Sequence, residues 1–177
     1  KSIADEIIIV DTGSTDNTKE IAKKFHAKIF DFKWIDDFSA ARNESLKHAA
    51  KDWILVLDAD EIIEEKDTIK IKNEIENADK IAGFQLEQRS YLSNSYRDAI
   101  PNNSDFEPVK KYPSYVPHHL VRLFKNHLGL HFRHKVHELV GHCLRQIETE
   151  HEGSDRAIEV PLGGGVEHAL LGFAPER

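Results

Sequence analysis

The chain has 177 residues, 40% of them hydrophobic and 31% charged, which is enough for one compact domain and too little for two full domains. Its formal net charge of −7 argues against a general nucleic-acid surface, which needs clustered Lys and Arg. One cysteine excludes an internal disulfide, and no apolar run approaches the ~20 residues of a membrane span. We therefore expect a cytoplasmic protein, either free in the cytoplasm or located at the inner face of the membrane.

The first predicted strand, residues 5–10, ends at a turn rich in hydroxyl and carboxylate groups. Ser14, Thr15 or Asp16 can cap the helix that follows. Asp11 is left over from this capping role. It either accepts hydrogen bonds from a nucleobase or ribose at the strand's carboxyl end, or stabilises the turn through its own backbone.

A second strand is predicted at residues 28–32, and strong helix formers follow from residue 38 to residue 50. Arg42 lies near the start of this helix, where a cation opposes the helix dipole. Either a carboxylate or phosphate partner compensates for that position, or Arg42 is an ordinary surface residue.

The uninterrupted apolar run at residues 53–57 predicts a strand buried on both faces. It delivers Asp58 and Asp60 at its carboxyl end, where open α/β sheets bind ligands. Two carboxylates in this spacing can hold a divalent cation and orient a ligand hydroxyl. The alternative is an ordinary acidic turn, since such residues favour turns and helix starts.

A charged helix is predicted at residues 64–78 with Ile69, Ile71 and Ile75 as its apolar positions, followed by a strand at residues 80–86. The alternation of strands and helices predicts a doubly wound α/β layer with its binding loops on one edge.

Residues 89–117 are rich in Ser, Asn, Tyr and Pro and predict a long loop or a pair of irregular strands. The tyrosines of this stretch either line a substrate surface or belong to a mobile excursion. They are Tyr91, Tyr96, Tyr112 and Tyr115.

Another strand is predicted at residues 119–125, with residues 130–133 as its hairpin partner. In the next segment, residues 134–138, His137 beside Glu138 suits proton transfer or metal ligation. If this segment is a strand, alternation places His134 and His137 on opposite faces, so the two histidines do not easily converge. Residues 157–162 read as an edge strand because of their proline. His168 follows three glycines and either reaches back to a metal or is an exposed histidine.

Five motifs in this order resemble those of the family 2 inverting glycosyltransferases, which have the GT-A fold. The motifs lie at residues 6–18, 41–43, 53–61, 122–124 and 136–138. The last two resemble a subgroup that includes lipopolysaccharide-core and peptide-modifying glycosyltransferases. The resemblance implies a three-layer α/β fold with a mostly parallel central sheet, from which the family's first strand is missing here. We therefore expect residues 1–177 to be a single GT-A domain and a fragment of a longer chain.

The resemblance also implies a hexosyltransferase-like reaction from a nucleotide-diphosphate sugar donor to a saccharide, lipid-linked or peptide acceptor, with Mg²⁺ or Mn²⁺ as cofactor. By this resemblance Asp11 contacts the nucleotide base, Ser14, Asp16 and Arg42 lie at the nucleotide pocket, and Asp58 faces ribose or sugar. Asp60 of the Asp-x-Asp motif and His168 are the implied metal contacts. Glu138 matches the catalytic carboxylate, with His137 as the alternative. The rival functions are a nucleotidyltransferase of similar topology and a non-catalytic sugar-nucleotide-binding module.

Overall fold

The computed structural model describes residues 4–79, 81–94, 97–137, 140, 157–160 and 169–173. The described part contains three helices, α1 (Thr18–Lys24), α2 (Phe38–His48) and α3 (Glu65–Glu76). Its strands are β1 (Glu6–Asp11), β2 (Lys28–Asp31), β3 (Trp53–Leu57), β4 (Gly83–Leu92), β5 (Ile100–Pro101), β6 (Ser114–Lys125), β7 (Ala157–Val160) and β8 (Ala169–Phe173). None of the helices in these ranges has the length and apolar character that crossing a membrane requires.

The strands form one sheet in the order β2-β1-β8-β3-β6-β4-β7, with β5 paired to β6 outside this path. β1 and β3 each pair antiparallel with β8, so they run in the same direction. β2 is parallel to β1, β4 returns to the direction of β3 through β6, and β7 is parallel to β4. Five of the seven strands on this path therefore point one way, while β8 and β6 run against them. The predicted mostly parallel sheet is present only in part, because β1–β2 and β4–β7 are the parallel pairs among the described strands and the other pairs are antiparallel.

The core lies on both faces of β3, as its continuous apolar sequence predicts. Trp53 and Leu55 pack with Phe84 and with Ile71 of α3 on one face. Ile54 and Val56 pack with Ile8, Phe124, Phe132 and Val140 on the other. This double burial fixes the strand rigidly, so the residues that follow it are held at a defined place on the sheet edge.

Most predicted elements are present with boundaries shifted by a few residues, and the strand at residues 157–160 lies at the end of the sheet order, as an edge strand should. Within α3, Ile71 and Ile75 are buried as expected. Ile69 is instead 59% exposed, because it lies two residues from Ile71 and therefore on a different side of the helix.

Of the two alternatives predicted for residues 89–117, the structure has the pair of strands, and their pairing is more regular than expected. β4 continues to Leu92 and β6 begins at Ser114, and the two strands pair from Gly83 with Phe124 to Leu92 with Ser114. Tyrosines and β-branched residues favour such a ladder, and the polar composition reflects two solvated faces rather than a loop. Within the described part of residues 89–117, the irregular segment is the connection between the two strands, which contains the short β5.

Residues 130–133 do not form the predicted hairpin partner, and the segment after them is not a strand. His134 has a φ of 78° and His137 has a φ of 54°, both in the left-handed region that a strand excludes. The segment is instead fastened to α2: Phe38 donates its backbone N–H to the carbonyl of Lys135 (3.0 Å), and the Ser39 hydroxyl donates to the carbonyl of His134.

Candidate active site

Two of the predicted carboxylates lie at the carboxyl ends of strands that run in the same direction. Asp11 is the last residue of β1 and Asp58 directly follows β3. One strand, β8, separates them, which corresponds to about 10 Å across the sheet. The predicted clustering of functional groups at this edge is therefore present in the backbone topology.

Asp11 is buried and is bound by its own turn. Its Oδ2 accepts hydrogen bonds from the backbone N–H groups of Gly13 and Ser14, both at 3.1 Å, and lies 3.3 Å from Nζ of Lys19. Burial alone would raise the pKa of Asp11, but the hydrogen bonds from Ser14 and Gly13 outweigh it and hold this pKa below its ordinary value of 3.8. Asp11 thus shapes the loop that precedes α1, which was one of the two roles expected for it.

Ser14 and Asp16 are exposed on this loop. Asp16 is locally engaged, because its Oδ1 accepts from the backbone N–H of Thr18 at 3.0 Å and from the Thr18 hydroxyl at 2.5 Å. The residue at the N-cap position, Asn17, makes no side-chain capping bond. Asp16 instead accepts the backbone N–H of Thr18, the first residue of α1. Gly13 permits the turn with a φ of 123°.

Asp58 lies between two arginines. Nη2 of Arg42 donates to its Oδ1 at 2.6 Å, and Nη2 of Arg122 donates to its Oδ2 at 2.7 Å. All three side chains are mostly buried, with exposed fractions of 12% for Arg42, 18% for Asp58 and 13% for Arg122. The partner that the helix-dipole argument required for Arg42 is therefore a carboxylate, and the surface alternative is wrong.

Arg122 reaches this position because of an irregularity in the sheet. β4 and β6 pair Phe84 with Leu123 and then Gln85 with Val121, so Arg122 is the residue that the register skips. A bulge of this kind redirects the extra side chain and is frequent beside active sites. The guanidinium also contacts Oε1 of Glu61 at 3.1 Å and Oε1 of Gln88 at 3.4 Å.

Glu61 closes the turn after β3. Its Oε2 accepts the backbone N–H of Asp58 at 3.0 Å, while its own N–H donates to the carbonyl of Asp58 at 3.0 Å. Burial raises the pKa of Glu61 above its ordinary value of 4.5, and the nearby guanidinium of Arg122 only partly opposes this shift. Two guanidinium groups and two carboxylates consequently form one nearly neutral cluster.

Neighbouring residues at the start of α2 have separate tasks. Arg42 faces Asp58 and lies over the ring of Phe132, with Cζ 5.5 Å from the ring centroid. The Asn43 side chain binds the backbone of Phe132 on both sides, donating to its carbonyl at 2.9 Å and accepting its N–H at 2.7 Å. Asn43 therefore fixes the ring that supports Arg42, which explains why the two residues are adjacent.

Asp60 is exposed in the turn after β3. No described residue donates a hydrogen bond to its carboxylate. Within the described ranges no three His, Cys, Asp or Glu side chains converge as a ready metal site. Asp60 is thus a single accessible carboxylate beside the Asp58 cluster.

The remaining predicted site residues lie at the limits of the described chain. Glu138 and His168 are outside the described residues. His137 is exposed and follows directly on the segment that α2 holds. The structure thus brings Arg42 to Asp58, leaves Asp60 accessible beside them, and engages Asp11, at the end of β1, with the loop that follows it.

Comparison with known proteins decides the family of this arrangement. Residues 2–141 match the family described as "Glycosyl transferase family 2". The chain belongs to glycosyl transferase family 2. This membership gives it the GT-A fold, in agreement with the strand order and the acidic carboxyl edge.

Three relatives show how the family match is distributed. A TPR repeat-containing protein of Synechococcus elongatus is 32% identical over 151 residues, which are 85% of this chain and 32% of that protein. An uncharacterized glycosyltransferase of Rickettsia bellii is 35% identical over 113 residues, 63% of this chain and 36% of its own length. The SPbeta prophage-derived glycosyltransferase SunS of Bacillus subtilis is 40% identical over 68 residues, 37% of this chain and 16% of that protein. The chain spans about a third or less of each of these proteins.

Two residues of this site were not expected from the sequence. Arg122 stood within a recognised motif without an assigned role, and Glu61 closed another motif. The available signal was the position of Arg122 within the apolar run of residues 120–124, where an unpaired charge would be costly. A carboxylate partner was therefore required, and Asp58 and Glu61 supply it.

Proposed function

We propose that this glycosyltransferase uses a nucleoside-diphosphate sugar as donor and transfers the sugar with inversion to an acceptor hydroxyl or thiol. The observation that supports the proposal best is the pairing of Asp58 with both Arg42 and Arg122 at the carboxyl end of β3. A carboxylate held by two hydrogen-bond donors can orient sugar or ribose hydroxyls, since its side chain loses less rotational freedom on binding than an unconstrained one.

The two arginines suit the diphosphate part of such a donor. Guanidinium groups bind phosphate oxygens with strong, charge-assisted hydrogen bonds. Arg42 and Arg122 bring two guanidinium groups to one carboxylate at this edge of the sheet. A chain with a net charge of −7 needs such a local concentration of cations to accept an anionic ligand.

Asp60 is the residue that would hold a divalent cation in this proposal. Mg²⁺ is commonly bound through one or two carboxylates together with substrate phosphates, rather than by a complete cage of protein ligands. One exposed carboxylate beside a diphosphate site fits that requirement, and His168 is a further candidate from sequence. When bound, Mg²⁺ or Mn²⁺ would supply positive charge at the leaving diphosphate.

Inversion requires a base on the side of the acceptor. In a single displacement the acceptor oxygen or sulfur loses its proton as it attacks the anomeric carbon, and the nucleoside diphosphate leaves from the opposite side. We assign the base to Glu138, with His137 as the alternative. Either residue would take the proton directly from the acceptor.

The test is nucleotide binding by the full-length protein, measured by calorimetry with UDP, GDP and dTDP in the presence and absence of Mg²⁺ or Mn²⁺. We expect one nucleotide to bind with metal. Asp60→Asn should weaken that binding by at least about tenfold, the loss expected for one charge-assisted contact. Asp52→Asn is the matched control, because Asp52 is exposed just before the same strand, at its opposite end.

Turnover separates the proposed function from its rivals. Release of free sugar or transfer product from the matching nucleotide sugar supports glycosyl transfer. Binding without any turnover, even with cell-derived acceptor mixtures, would indicate a sugar-nucleotide-binding module. Failure of every nucleoside diphosphate to bind would contradict the proposal.

A further inference from the structure

β4 and β6 form an arm that extends beyond the rest of the sheet. We call residues 87–92 and 114–119 the hairpin arm. β3 pairs with β6 only at Leu123–Lys125, and β7 pairs with β4 only at Gly83–Leu86. Because β6 runs antiparallel to β3, the hairpin arm continues past the carboxyl end of β3 and therefore past the edge that bears Asp58.

One face of the hairpin arm carries a row of tyrosines. Strand alternation places Glu87, Arg89 and Tyr91 on a common face, and Tyr115 pairs directly with Tyr91. The ring centroids of Tyr91 and Tyr115 are 5.6 Å apart, and those of Tyr91 and Tyr112 are 6.1 Å apart. All three rings are half-buried, so each offers part of its surface to solvent. We call these three residues the tyrosine row.

Polar and charged groups border the tyrosine row. Cζ of Arg89 lies 4.8 Å from the ring centroid of Tyr115, and Nε of Arg89 donates to Glu87 at 2.6 Å. At the other end, Nζ of Lys111 lies 5.1 Å from the ring centroid of Tyr112. The row is therefore an aromatic surface with hydrogen-bonding groups at its margins.

The connection that carries Tyr112 is held in place by hydrogen bonds of Asn102. Nδ2 of Asn102 donates to the carbonyls of Val109 at 2.9 Å and Tyr112 at 2.8 Å. The backbone N–H of Asn102 donates to the carbonyl of Pro113 at 2.9 Å. Asn102 thus holds Tyr112 beside the arm, and the three rings form a preorganised surface.

The tyrosine row lies close to the Asp58 cluster along the arm. Gln85 shares the face of Tyr91 and pairs with Val121, which belongs to the apolar cluster of Phe132. Phe132 supports Arg42, which binds Asp58, so the tyrosine row and Arg42 lie on the same face of the sheet. Along the strand, Tyr91 is three residues beyond Gln88, whose side chain reaches Arg122 from the opposite face, and this separation corresponds to about 10 Å. An elongated ligand on the row could therefore present one end to the edge where the donor is proposed to bind.

We infer that the tyrosine row is the acceptor-binding surface of this glycosyltransferase and that the acceptor presents an oligosaccharide there. This inference rests on the proposed function. A pyranose has an apolar C–H face and a rim of hydroxyl groups, and Tyr offers the complementary combination of an apolar ring and a polar tip. Glu87 and Arg89 add an acceptor and donors for the hydroxyl rim on the same face.

The experiment is saturation-transfer NMR on the full-length protein, with trisaccharides built from glucose, galactose, mannose and N-acetylglucosamine as probes. We expect at least one trisaccharide to receive saturation. The Tyr91→Ala/Tyr115→Ala double variant should weaken its binding by about tenfold or more, the loss expected when stacked rings are removed. The Tyr91→Phe/Tyr115→Phe variant keeps both rings and should retain most of the binding.

Phe25→Ala is the matched control, because Phe25 is an aromatic residue 66% exposed at the end of α1 and away from the hairpin arm. Binding of the matching nucleoside diphosphate is measured in parallel in every variant. If the nucleotide binds and no trisaccharide does, the inference is wrong while the proposed function stands. Equal saccharide binding by the double Ala variant would also overturn it. If the wild-type protein binds no nucleoside diphosphate, the result contradicts the proposed function instead.

Discussion

Arg122 is the residue that the pairing of β4 with β6 skips, and its Nη2 lies 2.7 Å from Oδ2 of Asp58. In a regular pairing, strand alternation alone would decide which face of the sheet the Arg122 side chain points to. The bulge allows Arg122 to meet both Asp58 and Glu61, on the turn that follows β3. An irregularity in one hairpin thus completes the charge balance at the end of a different strand.

Arg122→Ala should destabilise the fold. Removing the guanidinium leaves Asp58 with a single cationic partner of the two and leaves Glu61, whose side chain is 7% exposed, without its ion pair. Breaking a buried pair from one side typically costs about 3 kcal/mol of unfolding free energy. Urea unfolding followed by circular dichroism measures the difference.

Lys110→Ala provides the comparison for that loss. Lys110 forms an ion pair with Glu107 at 2.9 Å on an exposed surface, where solvent screens the interaction. Its removal should leave the unfolding free energy nearly unchanged. Similar effects for the two variants would mean that the bulge does not place a stabilising charge at Asp58.

Arg42→Lys should lower the affinity for the nucleotide clearly and the stability of the fold only slightly. A lysine cannot reproduce the planar guanidinium that binds Asp58 and lies over Phe132, whereas Asp58 keeps its contact with Arg122. We expect the dissociation constant for the matching nucleoside diphosphate to rise about tenfold. Calorimetry gives the affinity, and thermal unfolding gives the stability.

Lys47→Ala is the matched variant for Arg42, since Lys47 lies on the same helix and pairs with Glu44 on an exposed side. It should bind the nucleotide as the wild type does. If Arg42→Lys also binds normally, the role of Arg42 is confined to holding Asp58.

The residues around β3 show what the sequence determines locally. A continuous apolar strand is specified by its own composition, so the double burial of residues 53–57 and the position of Asp58 could be predicted. Arg42 could be flagged because a cation near a helix start needs a partner. These features depend on a few adjacent residues and on rules with period 2 or 3.6.

The contacts that complete the site depend on distant parts of the chain. Asn43 binds the backbone of Phe132, 89 residues away, and Arg122 binds Asp58, 64 residues away. Neither pairing leaves a periodic signal. Most of the hairpin arm was expected as part of a loop or of a pair of irregular strands, because residues 89–117 are rich in Ser, Asn, Tyr and Pro and lack the regular alternation that reveals a half-buried strand.

Glu6 should make stability depend on pH. Its buried carboxylate accepts the backbone N–H of Ala50 at 2.9 Å and the ammonium of Lys28 at 2.5 Å. Burial alone would raise the pKa of Glu6, but these hydrogen bonds outweigh it and hold the pKa below its ordinary value of 4.5. On acidification the unfolded chain takes up the proton first, so the stabilisation is present above pH 4.5 and is lost as the pH falls through the folded pKa.

Glu6→Gln removes this dependence. The difference in unfolding free energy between the wild type and Glu6→Gln should therefore be largest near neutral pH and shrink as the pH falls from about 6 to 3. Urea unfolding across that range tests it. Lys28→Met should reduce the pH-dependent part of the difference, because it removes one of the two hydrogen bonds. A difference that stays constant with pH would rule out the proposed linkage.

The identity of the base can be resolved by comparing two neighbouring residues. If Glu138 accepts the proton of the acceptor, Glu138→Gln should lower kcat by about 10²-fold or more, since general-base catalysis contributes that much. It should leave the dissociation constant of the nucleoside diphosphate unchanged, because the proposed donor contacts lie at Asp58 and Asp60. His137→Gln, in which an exposed imidazole is replaced, should then change kcat only slightly. The reverse pattern, with the large loss in His137→Gln, would assign the base to His137, and weakened nucleotide binding by Glu138→Gln would instead place that carboxylate in the donor site.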